Sequence, residues 1–165
     1  MDTEGTLSPA TAAAARERYG ALGSTAQVVV KETAKAMGMD AEEYRDRVTS
    51  DVVETARDAL FASLLEVRVG SREEFEEWVA DHDGYEVHEV GSENVDRVVW
   101  HAAPAAETVV AATFQEEREA AVGTLRRQAF GRIYRGLVAE GDERAGESGE
   151  TAEGGEAAAD ESNGE

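Results

Sequence analysis

The chain has 165 residues, enough for one modest hydrophobic core, and its 36 acids against 16 bases give a net charge of −20. It contains no cysteine, which excludes disulfides, thiolate nucleophiles and Cys-based zinc or iron–sulfur sites. The first residues lack the basic and apolar regions of a signal peptide, and no stretch has the apolar length of a membrane span, so we expect a cytoplasmic protein.

The bases are divided unevenly, because Lys31 and Lys35 are the only lysines and all the others are arginines. Carboxylates hold water and cations well, whereas a lysine stem exposes apolar methylene groups, so a surface selected in concentrated salt favours acids over lysines. In about 1 M salt the Debye length is about 3 Å, and the acids then repel one another only at contact distance. We therefore interpret the negative charge as an adaptation to salt rather than as a binding signal.

Three helices are predicted in the N-terminal part of the chain. The first covers residues 10–19, and a capping box begins the second over residues 25–37. The third starts at Asp40 and carries apolar residues at every fourth position as far as Leu64, with a candidate break at residues 49–51.

The hydrophobic period then changes from helical to alternating, which predicts a small antiparallel sheet of about four strands. Residues 66–69 are predicted to form a short strand, which a short helix follows. Residues 85–90 and 96–102 are predicted to pair as a β-hairpin. Residues 108–114 are β-branched and apolar, which favours one more antiparallel strand, and helix is the open alternative.

A long amphipathic helix is predicted from residue 115 to residue 138. After it, residues 141–165 hold nine acids, one base and six glycines and no aromatic residue, so we predict a disordered acidic tail. The whole pattern predicts a single α+β domain over residues 7–140, with N-terminal helices, the small sheet and the long C-terminal helix.

The helix pair over residues 24–48 has features of a helix–turn–helix DNA-binding motif, with Ala34, Gly38 and Val48 at suitable positions. Residues 40–47, however, carry four acids against two bases, a charge that phosphate groups repel. An αα-hairpin with a packing role has the same pattern, and we favour that interpretation.

One basic surface is predicted, because residues 120–139 hold no acid. The helix there carries four arginines, which are Arg126, Arg127, Arg132 and Arg135. Helical geometry spreads them over the polar face, except that Arg126 falls within the apolar stripe. In one interpretation they pair with carboxylates of the acidic body or of the tail, and in the other they form a docking face for an acidic partner or RNA. These four residues are the candidate partner-binding residues.

The candidate metal ligands of this sequence are His88, His101 and Glu86. A hairpin turn at Asn94-Val95 would bring His88 and His101 together with Glu86, a two-histidine, one-carboxylate set. Valine resists the positive φ of such a turn, so we favour another register and predict no metal site.

No serine lies in a nucleophile elbow, no glycine motif cradles phosphate, and the carboxylates are too numerous for any pair to indicate acid–base catalysis. We predict no catalytic residue and no cofactor.

The acidic, lysine-poor framework, the helical N-terminal half, the region 85–102 and the glycine-containing helix 124–137 together resemble an uncharacterised family of small acidic proteins from halophilic archaea. The resemblance covers residues 7–140 and implies a haloarchaeal cytoplasm, without an assigned activity or site residues. We predict a non-enzymatic interaction or assembly module whose partner is an unknown protein or a second copy of the chain. Nucleic-acid binding through the 24–48 helix pair or the arginine-bearing helix is the alternative, and an enzyme ranks third.

Overall fold

The computed structural model describes residues 1–139, and the predicted tail over 141–165 lies outside the described residues. The strands are β1 (Asp2–Glu4), β2 (Val67–Ser71), β3 (Glu86–Val90), β4 (Arg97–Ala103) and β5 (Thr108–Phe114). The helices are α1 (Ala12–Ala21), α2 (Gly23–Ala36), α3 (Ala41–Arg47), α4 (Ser50–Leu64), α5 (Arg72–Ala80) and α6 (Arg118–Ala129). One π-helical turn, Phe130–Tyr134, continues α6, and the helix then runs on to residue 139. The α+β prediction is confirmed.

Local capping explains where several helices begin. The Thr11 hydroxyl accepts a hydrogen bond from the Ala14 N–H at 3.1 Å at the start of α1. The Asp40 carboxylate accepts one from the Glu43 N–H at 2.9 Å at the start of α3. The predicted break at 49–51 is confirmed, because α3 and α4 are separate helices.

The sheet is mixed and has the strand order β1-β2-β4-β5-β3. Three neighbouring pairs are antiparallel, and β3 pairs in parallel with β5. The strand predicted over 108–114 is confirmed as β5. The prediction of an all-antiparallel, four-stranded sheet is wrong in two respects, since β1 adds a strand before residue 7 and β3 runs parallel to its neighbour.

β3 and β4 do not form the predicted hairpin, because β5 lies between them. β5 buries Val109, Val110 and Ala111 and therefore needs a strand on each side, whereas the sequence of β3, EVHEV, suits a sheet edge. The connection over residues 91–96 carries the chain across β5 from one side to the other. The real hairpin joins β4 to β5 through a turn in which Glu107 has a φ of 46°.

Helices cover the two faces of the sheet unequally. On one face, α1, α4 and α6 bury the larger core cluster, which includes Phe61, Leu65 and Leu125. On the other face, α5 alone packs Phe75 against Trp100, with ring centroids 5.2 Å apart. α6 packs over β4 and β5. The side of α6 that faces away from these two strands is open to solvent and lies next to the edge strand β3.

Within residues 1–139, no helix combines the length and the apolar character that a membrane crossing requires.

Candidate interaction surface

Arg126 points into the protein. Its Nε donates to the carbonyl oxygen of Leu65 at 3.0 Å, and the side chain is half-buried. The same guanidinium fills the space beside Gly5, where an added Cβ would lie 2.7 Å from Nη2. Arg126 therefore ties α6 to the end of α4 and to the N-terminal segment, which suits an anchoring role better than a partner contact.

The other three predicted arginines, Arg127, Arg132 and Arg135, are exposed along α6 and its continuation, and we call them the arginine face. Arg127 Nη2 donates to the Thr124 hydroxyl at 3.3 Å, and the Arg135 guanidinium lies 5.6 Å from the ring centroid of Phe130. None of the three pairs with a carboxylate of residues 1–139. The structure therefore leaves this cationic surface unneutralised by the described part of the acidic body.

Arg132 links the arginine face to the edge strand. Its Nη1 lies 3.3 Å from Nδ1 of His88, and His88 Nε2 lies 3.1 Å from a carboxylate oxygen of Glu86. A guanidinium only donates, so Nδ1 accepts and Nε2 carries the proton that faces the carboxylate. A polar chain of Glu86, His88 and Arg132 thus crosses the boundary between β3 and α6. Because Arg132 is far from the other two residues in the sequence, no sequence pattern predicts this chain.

A groove of 540 Å³ lies between the end of β3 and the N-terminal half of α6. Val90, Ala112 and Phe114 line its apolar side, and Thr124 and Gln128 bring it alongside Arg127. The far end carries Glu116 and Glu117. A chain segment bound in the groove would therefore meet the acids at one end and the polar side chains of Thr124 and Gln128 at the other.

His101 does not join His88 in a metal cluster. The two residues flank Val110 on opposite sides, His88 on β3 and His101 on β4, so β5 separates them. The conditional two-histidine, one-carboxylate cluster is therefore wrong, and no group of three potential metal ligands occurs within residues 1–139.

His101 is instead held inside the core by two hydrogen bonds. Its Nδ1 donates to the Glu66 carbonyl oxygen at 2.7 Å, and its Nε2 accepts from the Tyr134 hydroxyl at 2.7 Å. Burial lowers the pKa of His101 from 6.5 to about 4; the Glu66 bond opposes the shift, and the charges of Arg126 and Arg68 reinforce it. Burial likewise raises the pKa of Tyr134. Both rings are fully buried, so this pair stabilises the contact between β4 and the π turn.

The helix pair 24–48 corresponds to α2 and α3 and offers phosphate an acidic surface. Glu42, Glu43 and Asp46 are all exposed on α3, which buries no residue of its own. Gly38 has a φ of 78° and forms the turn, as an αα-hairpin requires. Of the two helices, α2 packs against α4, whereas α3 buries no residue, so the packing role falls on α2 rather than on the pair.

A family comparison covers the whole of this surface. A model for a family of unknown function, DUF5809, matches residues 6–135. The chain belongs to the DUF5809 family. The matched DUF5809 segment includes β3 and ends at Arg135, so all four predicted arginines fall inside it. Comparison with curated proteins and with solved structures gives no match.

Proposed function

We propose that this DUF5809 protein is a non-enzymatic interaction module whose arginine face binds an acidic segment of a partner protein. One observation carries the proposal. The chain has 36 acids and 16 bases, yet Arg127, Arg132 and Arg135 are exposed without a carboxylate partner in residues 1–139. Guanidinium groups bind carboxylates in paired, charge-assisted hydrogen bonds, so an acidic segment is the matching ligand.

The neighbouring groove supports a protein segment as the ligand. It offers Val90 and Phe114 to apolar side chains and the hydroxyl and amide of Thr124 and Gln128 to a peptide backbone. Peptide sites commonly combine such apolar walls with a few polar groups that set orientation.

The same surface is less suited to binding nucleic acid. Proteins that bind single strands stack bases on exposed aromatic rings. The two aromatic residues of this helix, Phe130 and Tyr134, are buried. Arginines without a stacking platform suit carboxylates better than bases.

The test measures binding of a fluorescent peptide of alternating Glu and Gly by anisotropy across a KCl series. The variant R127A/R132A/R135A is compared with R18A/R45A/R47A, which removes three arginines that are also exposed but lie on α1 and α3. We expect the first variant to lose about tenfold or more in affinity and the control to lose little, since each charge-assisted bond contributes about 1.5–3 kcal/mol.

Two results would overturn the proposal. Equal losses in both variants would show that the peptide senses only total charge. Tighter binding of a single-stranded RNA than of the peptide, abolished by the same triple substitution, would establish the nucleic-acid alternative instead.

The net charge supports a second, separable proposal, that the protein works in a salt-rich cytoplasm. Self-repulsion among surplus acids destabilises a compact state until salt screens it. We expect the free energy of unfolding, measured with urea, to rise as KCl increases from about 0.1 M to about 2 M. A flat dependence would contradict this proposal and leave the acids to be explained otherwise.

A further inference from the structure

The edge strand β3 turns unpaired backbone groups outward. The Glu86 N–H donates to the Glu107 carbonyl oxygen at 2.9 Å, so this residue faces β5. Because backbone direction alternates along a strand, the N–H and C=O groups of Val87 and Glu89 face the open side. No strand lies beside them within residues 1–139. Val87 and Val90 are 39% and 48% exposed on this strand.

The opposite edge of the sheet is guarded. β1 is only three residues long, and Arg118 binds both of its acids, Asp2 at 2.9 Å and Glu4 at 3.1 Å. Short, charged edge strands resist pairing with another chain. β3 has five residues and exposed valines, so it is the edge that is able to accept a further strand.

We infer that a second copy of this chain pairs with β3 in the antiparallel sense, with Val87 on the two-fold axis, and extends the sheet across two protomers. In this register Val87 of each copy faces Val87 of the other and exchanges two backbone hydrogen bonds with it. The outward direction of the Val87 N–H and C=O is what such a pair requires.

The side chains are self-complementary in this register. Glu86 of each copy faces His88 of the second copy, on the face of the sheet where Arg132 already contacts His88. Directly opposite side chains in an antiparallel pair lie about 4.5–5.5 Å apart. Each Glu86 therefore enters a site that holds an imidazole and a guanidinium of the other protomer.

The neighbouring register, centred on His88, lacks this complementarity. It sets His88 against His88 of the second copy, between two Arg132 side chains, and sets Glu86 against Val90. Charge therefore selects the Val87-centred register. This inference concerns self-association and goes beyond the proposed binding of an acidic segment, and its test uses none of the three arginines.

Single cysteines test the register without background, because the chain has no cysteine of its own. Facing residues of a hydrogen-bonded antiparallel pair have Cα atoms about 5.5 Å apart, which suits a disulfide. We expect V87C to form a disulfide-linked dimer under mild oxidation in KCl. V90C would face Gly84 of the second copy, and V52C, at an exposed site on α4, measures random collision. V87C should react about tenfold faster or more than either control.

Sedimentation of the full chain in KCl provides the second measurement. We expect the wild type to sediment as a dimer and V87K to sediment as a monomer with an unchanged circular dichroism spectrum. A monomeric wild type, or V87C reacting no faster than V52C, would overturn the inference. Faster reaction of H88C than of V87C would overturn the Val87-centred register and support the His88-centred one.

Discussion

His101 and His88 occupy the same row of the sheet, on either side of Val110, and have opposite environments. His101 lies on β4 under the π turn and is fully buried, with both ring nitrogens hydrogen-bonded inside the protein. His88 lies on β3, remains partly exposed and touches the charged residues Glu86 and Arg132. The same side chain is thus part of the core at the centre of the sheet and part of a charged surface at its edge.

The comparison shows that strand position in the sheet, and not residue type, decides what a residue does here. The centre carries the packing that stabilises the fold. The edge carries charged side chains and backbone groups that no strand of residues 1–139 pairs with, and substitutions there should affect association more than folding.

The largest contrast is expected between Trp100→Ala at the centre and Val90→Ala at the edge. Trp100 is fully buried against Phe75, so its removal should cost about 3–5 kcal/mol of unfolding free energy. Val90 is 48% exposed, and its truncation should cost less than about 0.5 kcal/mol. Urea denaturation in KCl measures both, and similar costs would contradict the division between centre and edge.

Acid should destabilise the centre through His101. Its pKa is about 4 in the folded protein and 6.5 in the reference state, so between these values the unfolded chain binds more protons. Unfolding free energy should therefore fall as the pH drops from about 6.5 to about 4, by about 3 kcal/mol. In the His101→Gln variant, the pH dependence of the unfolding free energy should lack this contribution and keep that of the surface carboxylates. If the two curves ran parallel, His101 would not be the group responsible.

Tyr134→Phe should weaken the same contact by a smaller amount. The substitution leaves the buried Nε2 of His101 without its donor, which costs about 1–3 kcal/mol. Tyr44→Phe is the matched control, because Tyr44 is half-buried and its hydroxyl bonds to no other residue of the described chain. Thermal unfolding of the two variants in one buffer compares them, and equal midpoints would contradict the role given to the Tyr134 hydroxyl.

The smallest effect is expected from shortening the chain after Ala139. The deleted residues 140–165 carry ten acids, and we expect these to compete for the arginine face at the high effective concentration of a tethered segment. Anisotropy with the acidic peptide should show a gain in affinity of about twofold to tenfold. The same truncation in R127A/R132A/R135A should give no gain, and a gain of equal size there would place the competition elsewhere.

Local signals in the sequence predicted most elements but not how the strands pair. The cap of α3 was predicted, because the Asp40 carboxylate acts on the Glu43 N–H three residues away. The predicted starts of the first two helices are each wrong by two residues: α1 begins at Ala12 after its cap Thr11, and α2 begins at Gly23 without the predicted capping box. The strand over 108–114 was readable from its β-branched residues. Strand β1 was not predicted, because residues 2–4 are polar and their strand conformation depends on pairing with β2 and on ion pairs with Arg118.

The candidate surface was only half predictable. The acid-free run around Arg127 and Arg132 is visible in the sequence, and the inward turn of Arg126 follows from its place in the apolar stripe. The contact of Arg132 with His88 joins residues 44 positions apart, and no local pattern indicates it.

The amino-acid sequence by itself determined the α+β class, the approximate positions of the helices, the acidic surface and the arginine-bearing helix, because each depends on spacing and composition along a few turns of chain. Only the tertiary structure decided that β5 inserts between β3 and β4, that His101 is buried and that β3 becomes an open edge. The physical reason is that a strand meets its backbone hydrogen bonds with partners far along the chain, and competition among strands for burial selects those partners.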